Sequence, residues 1–404
     1  MLRREIVRIA GAVAVTAILA GPAAAACKNT GSFDAWMAGF KKHAVAEGVS
    51  QRTVDSALRG ITLDPRVIKR DRAQSLFSLT YVEFVDRLVS KGRINGGRKK
   101  LKQHAKLFAR IERDYGVPGP VLAAFWGLET DFGGFMGDFQ TLRSLATLAY
   151  DCRRPEMFTE ELVAGLKLID NGDLKASEMV GAWAGELGHT QFLMTDYFET
   201  AVDYDGDGHR NLVKSVPDAL ASGARLLQKY GWRAGEPWIV EVRVPNNLAW
   251  QEADLAITHP QAQWAQWGVR RADGSALSNS QLPASLLLPM GHKGPAFLAY
   301  NNFRNAYINW NNSLTYSLTA AYFATRLAGA PPLNRNGVKS IDALSFNQIK
   351  EMQRLLTKKG YDVGGVDGTL GEKSRAAVKA VQAQMGLPQD AFPTGDFLAR
   401  LRRM

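Results

Sequence analysis

Apolar residues recur at helical spacing through the first half of the chain. Trp36, Phe40 and Ala44 form one stripe, Leu107, Ile111 and Tyr115 a second, and Leu162, Leu166 and Ile169 a third, each gathered on one helix face. Turn signals at Gly116-Val117-Pro118 and Gly133-Gly134 separate such segments. From Phe33 to Tyr230 the pattern predicts a mostly helical body. After Trp232 the period shortens: Trp238 to Val244 alternates like a half-buried strand, and Ala284 to Pro289 and Ala296 to Tyr300 read as two more short strands. Helical spacing returns from Ser313 to Leu327. The run from Gly329 to Gly337, rich in Gly, Pro and Asn, cannot extend that helix and reads as a flexible linker over about residues 329–340. Beyond it Phe346, Ile349, Met352, Leu355 and Leu356 mark an amphipathic helix, and Thr369-Leu-Gly-Glu372 reads as a capping box opening another with Ala376, Ala377, Val378 and Val381. The expected fold class is mainly α (α+β). It consists of a helical domain over residues 27–328 with a small β-containing insertion at about 233–300, then a C-terminal three-helix module over 341–404.

A chain of 404 residues, 46% of them hydrophobic, can bury a large core and exceeds one typical domain. Its formal net charge of +11 favours an anionic partner. Nucleic acid is not expected, because the basic residues are spread out in small clusters such as Arg98-Lys99-Lys100 and no zinc-finger, RNP or helix-turn-helix signature is present. At the N-terminus Arg3, Arg4 and Arg8 precede an apolar stretch from Ile9 to Leu19, then Gly21-Pro22 and an alanine run. This order predicts a signal peptide over residues 1–26, cleaved after Ala26, and therefore export to the periplasm. Cys27 directly follows, but Ala24 stands where a lipoprotein signal usually carries leucine, so an outer-membrane lipoprotein is the less favoured reading. Cys27 and Cys152 are the two cysteines, and in an oxidising compartment a disulfide between them is the economical expectation. Two unrelated thiols are the alternative.

One segment carries candidate acid chemistry. The segment Val117 to Gly134 places one carboxylate, Glu129, inside an apolar helical run, with Phe125 and Trp126 four and three residues before it on the same face. Poor solvation there raises a carboxyl pKa and leaves a proton to donate, which a departing glycosidic oxygen requires. Asp131, two residues on, is predicted to point to the opposite side of the helix and makes a poor second member of a pair. A structural acid bonded to backbone or arginine is the competing reading, and this segment leaves both open. A second motif, Asp203-Tyr-Asp205-Gly-Asp207-Gly-His209, has oxygen ligands at alternate positions and a glycine at the sharp turn of a calcium loop, with the His209 carbonyl as a further ligand. Its twelfth position is Lys214, which cannot ligate a cation. An Asx-rich turn without metal is the alternative.

The run Phe125-Trp-Gly-Leu-Glu129-Thr-Asp-Phe-Gly133 resembles the catalytic helix of the membrane-bound lytic murein transglycosylase B family, glycoside hydrolase family 103. Gly181-Ala-Trp-Ala-Gly-Glu-Leu-Gly-His-Thr-Gln191-Phe192 resembles its second motif, and Asp203 to His209 and Asn309-Trp310-Asn311-Asn312-Ser313-Leu-Thr-Tyr316 continue the resemblance in the same order. What this implies is a lysozyme-like catalytic domain that cleaves the β-1,4 MurNAc-GlcNAc bond of peptidoglycan and leaves 1,6-anhydro-MurNAc ends. Glu129 would act first as acid and then as base, with no catalytic cofactor. The resemblance further implies that Gln191, Trp310, Asn311 and Tyr316 contact sugar, and that Asp218 closes the calcium loop in place of Lys214. Ala182 stands where some members carry serine, and Trp310 where a tyrosine is common. Asp367 to Gln382 resembles the peptidoglycan-binding type 1 domain. Expected partners are peptidoglycan glycan strands, with other cell-wall enzymes as candidates, and the expected state is a monomer. A hydrolytic muramidase and a non-catalytic peptidoglycan-binding protein are the alternative functions.

Overall fold

The structure is a computed structural model that describes residues 31–72, 79–335 and 342–404. The expected signal peptide, Cys27 and part of the expected linker lie outside the described residues. The chain divides into two compact units, Met1–Gln74 with Asn95–Tyr230, and Ser75–Ile94 with Gly231–Met404.

The first unit is helical, as the stripes predict. Phe33–Ala46 carries the Trp36 stripe, Ala105–Tyr115 the Leu107 stripe and Pro155–Asp170 the Leu162 stripe. At its centre lies Gly119–Thr130, buried on all sides from Val121 to Leu128, as a core helix with no polar face must be. Pro118 and Pro120 open it, where a missing N–H costs nothing. It ends at Thr130, and Asp131 and Phe132 follow in left-handed conformations at φ 53° and 62°. Asp131 is the C-cap and donates its N–H to the Gly127 carbonyl. The chain then forms a short antiparallel pair, Phe139–Gln140 with Val180–Gly181, which fixes the start of the Gly181 to Phe192 segment. Gly137 is required beside this pair: at φ +106° a Cβ there would fall 1.9 Å from the Gly181 carbonyl oxygen.

The second unit holds the strands. Ile239–Arg243, Pro283–Leu287 and Ala296–Ala299 fall on the alternating segment and the two further segments expected as short strands. Two-residue strands His259–Pro260 and Arg270–Arg271 extend them into a five-stranded sheet, ordered His259–Pro260, Pro283–Leu287, Ala296–Ala299, Ile239–Arg243, Arg270–Arg271, with antiparallel neighbours. Trp264 packs into the associated core with Val242, Leu286 and Leu298 and donates its indole N–H to the Ala284 carbonyl at 2.9 Å. The chain continues through a π-helical turn, Phe303–Tyr307, into Ile308–Trp310 and the helix Leu314–Leu327.

The described part of the linker is held rather than flexible. Ala330 donates its N–H to Thr325 O at 3.0 Å, Leu333 to the Tyr322 hydroxyl at 2.9 Å and Asn334 to Glu241 at 2.7 Å. Composition excludes helix here but does not say that acceptors on neighbouring elements meet the free N–H groups. The C-terminal module is built from Phe346–Lys358, Glu372–Gln384 and Gly395–Leu401 around Ile349, Met352, Leu356, Val378, Val381 and Leu398. The expected Thr369 capping box is absent, since Gly371 is the N-cap of Glu372–Gln384. Residues 367–369 instead clamp the buried Gln353 amide, which donates to Asp367 Oδ1 and the Thr369 carbonyl and accepts from Gly368 N. The module also touches the sheet region of its own unit: His292 Nδ1 lies 2.6 Å from Asp390, and Lys379 Nζ bonds the Ala253 carbonyl and Asp254.

Candidate active site

Glu129 is the penultimate residue of Gly119–Thr130, and its side chain is half-buried at the end of a helix whose preceding residues are buried. Phe125 and Trp126, predicted to share its face, are each 1% exposed. The carboxyl therefore stands at the rim of an apolar layer. The second motif lies against the same helix end. Trp126 Nε1 donates to His189 Nδ1 at 3.1 Å, and Thr130 Oγ1 donates to the His189 carbonyl at 2.7 Å. Gln191, in the left-handed region at φ 51°, donates its side-chain amide to the Met136 and Gly188 carbonyls at 3.2 and 2.8 Å. Both sides of this corner thus hold non-glycine residues in a strained backbone region, a feature that gathers at functional sites.

Three groups here lie inside the two motifs but are not among the site residues expected from the sequence. Thr130 and His189 gain meaning only once the two motifs meet. Glu186 is a buried carboxyl inside the second motif, in a turn closed by the Ala182 N–H on the Glu186 carbonyl at 2.9 Å. Nothing in its spacing distinguishes it from a surface acid.

The other expected sugar contacts belong to the second unit. Asn311 ends Ile308–Trp310 and accepts the Ser313 N–H on Oδ1 at 2.9 Å, while Ser313 caps Leu314–Leu327 by accepting from Tyr316 N. Ser317 Oγ donates to the Asn311 carbonyl at 2.6 Å. Trp310 and Tyr316 are 3% and 1% exposed, so each ring is packed into the protein and not held out as an open platform.

In the acidic loop Asp203, Asp205 and Asp218 bring one carboxylate oxygen each within 4.8 Å of the others, about the separation of two oxygens on opposite sides of a calcium ion at ~2.4 Å. Asp207 is not in this group; its Oδ1 accepts the His209 N–H at 2.8 Å. Asp203 accepts the Gly206 and Gly208 N–H groups, and Asp218, fully buried in the first turn of Val216–Lys229, accepts those of Tyr204 and Asn211. Burial, with the charge of Asp205, raises the Asp218 pKa above the usual carboxylate value, a cost that a cation would relieve. The donor set fits a hard cation with oxygen ligands, so Asp203, Asp205 and Asp218 could hold one.

Residues 32–325 match the transglycosylase SLT domain and residues 346–401 a peptidoglycan binding domain. Membrane-bound lytic murein transglycosylase B of Escherichia coli is 31% identical over 157 residues, which is 39% of this chain and 43% of that protein, so the chain spans less than half the length of this curated relative. SltB3 from Pseudomonas aeruginosa, solved in complex with NAG-anhNAM-pentapeptide, is 40% identical with a TM-score of 0.86, over 92% of this chain and 99% of that one. The lytic transglycosylase SltB1 from the same organism is 25% identical with a TM-score of 0.64, over 72% of this chain and 97% of that one. The half-buried Glu129 and the second motif beside it lie within the matched span, and the chain belongs to the transglycosylase SLT domain family of lytic transglycosylases, with a peptidoglycan binding domain at its C-terminus.

Proposed function

We propose that the chain cleaves the β-1,4 bond between MurNAc and GlcNAc in peptidoglycan by intramolecular ring closure, with Glu129 in both proton transfers. The observation that carries this reading is Glu129 itself: a half-buried carboxyl at the end of an apolar helix, backed by Phe125 and Trp126. Poor solvation on that side favours the protonated form that a leaving oxygen needs. Once the proton is given up, the carboxylate takes one from the muramic C6 hydroxyl, whose oxygen bonds C1 and closes the 1,6-anhydro ring. No water is consumed. Gln191 of the first unit and, separately, Trp310, Asn311 and Tyr316 of the second are the residues we assign to sugar contact.

The C-terminal module anchors the enzyme to the wall. Calcium held by Asp203, Asp205 and Asp218 is structural, and chemistry at Glu129 requires no cofactor. Export to the periplasm and the Cys27 to Cys152 disulfide complete the reading; among the described residues no helix is long and apolar enough to cross a membrane. Digestion of peptidoglycan in oxygen-18 water tests the reaction. Ring closure leaves the new muramic ends without label, whereas a hydrolytic muramidase places one labelled oxygen on each.

A further inference from the structure

Behind Glu129 lies a buried contact that the reaction above does not use. Trp126, three residues before Glu129, buries its indole against His189, with Nε1 3.1 Å from Nδ1 and the rings nearly perpendicular at 84°. The indole N–H can only donate, so Nδ1 must be the acceptor and the imidazole proton rests on Nε2. Thr130, one residue after Glu129, donates its hydroxyl to the His189 carbonyl at 2.7 Å and accepts the Gly133 N–H at 3.0 Å. His189 thus grips the helix on both sides of Glu129. We propose that His189 is a positioning residue, which sets the Glu129 carboxyl by holding Trp126 through its ring and Thr130 through its backbone.

Three further observations fit this role. Gly133 is at φ +82°, and a Cβ there would fall 2.5 Å from His189 Cε1 and 2.6 Å from Nδ1, so the chain after Glu129 is shaped to admit the ring. Asp131 and Phe132 are both held in the left-handed region, at φ 53° and 62°, which side chains other than glycine rarely adopt. The Phe132 ring braces Trp126 from another side at 5.7 Å and lies against Gly96. Burial, with the nearby Lys100 ammonium, pushes His189 down to about 4, so it remains an acceptor at neutral pH. A small displacement of a reacting group costs up to ~100-fold in rate, and this clamp restrains the one turn whose tilt would move Glu129.

The inference rests on Glu129 as the acid, and Glu129→Gln tests that separately: activity retained in this variant defeats the reading whatever His189 does. His189→Leu removes the acceptor, His189→Asn keeps an oxygen near the Nδ1 position, and Trp126→Phe removes the donor while keeping a ring. On soluble glycan strands, His189→Leu and Trp126→Phe are expected to lower kcat about 10- to 100-fold with KM within about twofold, and the double variant to be no worse than either single. His189→Asn is expected to regain most of kcat. If His189→Leu does not fold, Trp126→Phe and His189→Asn still decide. A kcat within about twofold of wild type in folded Trp126→Phe would show that the contact only stabilises the fold, and losses that multiply in the double variant would show that the two side chains act independently; either overturns the proposal.

Discussion

Glu161 shows how a single side chain can acquire a role that its place in the sequence does not announce. On Pro155–Asp170 it looks like one more helical acid, yet it is 4% exposed, and its oxygens accept the Thr195 N–H and hydroxyl at 3.0 and 2.8 Å. Desolvation raises its pKa to about 7, outweighing these bonds. The folded state therefore keeps a proton that the unfolded chain has already lost. Stability from this group is complete below the ordinary glutamate pKa and falls as pH rises from about 4.5 to 7. The loss is at most ~3 kcal/mol. Glu161→Gln is expected to flatten this decline, read as unfolding free energy at pH 4.5 and 7; an equal slope in both proteins would show that another group is responsible. Glu161 and His189 escape a sequence reading because their partners are 34 and 63 residues away. The Glu129 motif was legible because its apolar neighbours are local. The left-handed backbone of Asp131 and Phe132 was not legible, since spacing assumes a helix that continues and this one ends at Thr130.

Among the elements, alternation located Ile239–Arg243 and short apolar runs located Pro283–Leu287 and Ala296–Ala299, but their order in the sheet depends on pairings between distant segments that no local pattern encodes. The module offers a sharper case. Thr369 and Glu372 have capping-box spacing, but Gln353 draws residues 367–369 into a clamp and leaves Gly371 to cap the helix. Gln353→Leu would strand the buried Gly368 N–H, at a cost of ~1–3 kcal/mol, and remove the bond to the Thr369 carbonyl. The variant is expected to unfold the module at lower temperature than in wild type, seen as an early calorimetric transition with catalytic activity on soluble strands retained. An unshifted transition would mean that the clamp contributes little. In the acidic loop, Asp203→Asn with Asp205→Asn is expected to remove a rise in melting temperature on calcium addition that the wild type shows. A wild-type melting curve indifferent to calcium would favour the Asx-turn reading, with backbone N–H groups and the Ser215 hydroxyl as partners of these carboxylates.

For the molecule as a whole, the helical body, the β-containing region and the C-terminal module could be read from changes of period along the chain. The linker could be read only in part. Its prolines announce the end of the helix, but the bonds from Leu333 and Asn334 to Tyr322 and Glu241 depend on side chains brought in by the fold. The same holds for the His292 and Lys379 contacts of the module. Net charge indicated an anionic partner but could not choose peptidoglycan; the ordered motifs did that, and the proposed chemistry rests on Glu129. The most direct test is therefore Glu129→Gln beside the wild type on purified peptidoglycan, with released muropeptides weighed by mass spectrometry and folding checked by melting temperature. The account predicts anhydro products, one water lighter than hydrolysed ones, from the wild type and none from an equally stable variant. Anhydro products at wild-type rate from Glu129→Gln, or products carrying the added water from the wild type, would contradict it.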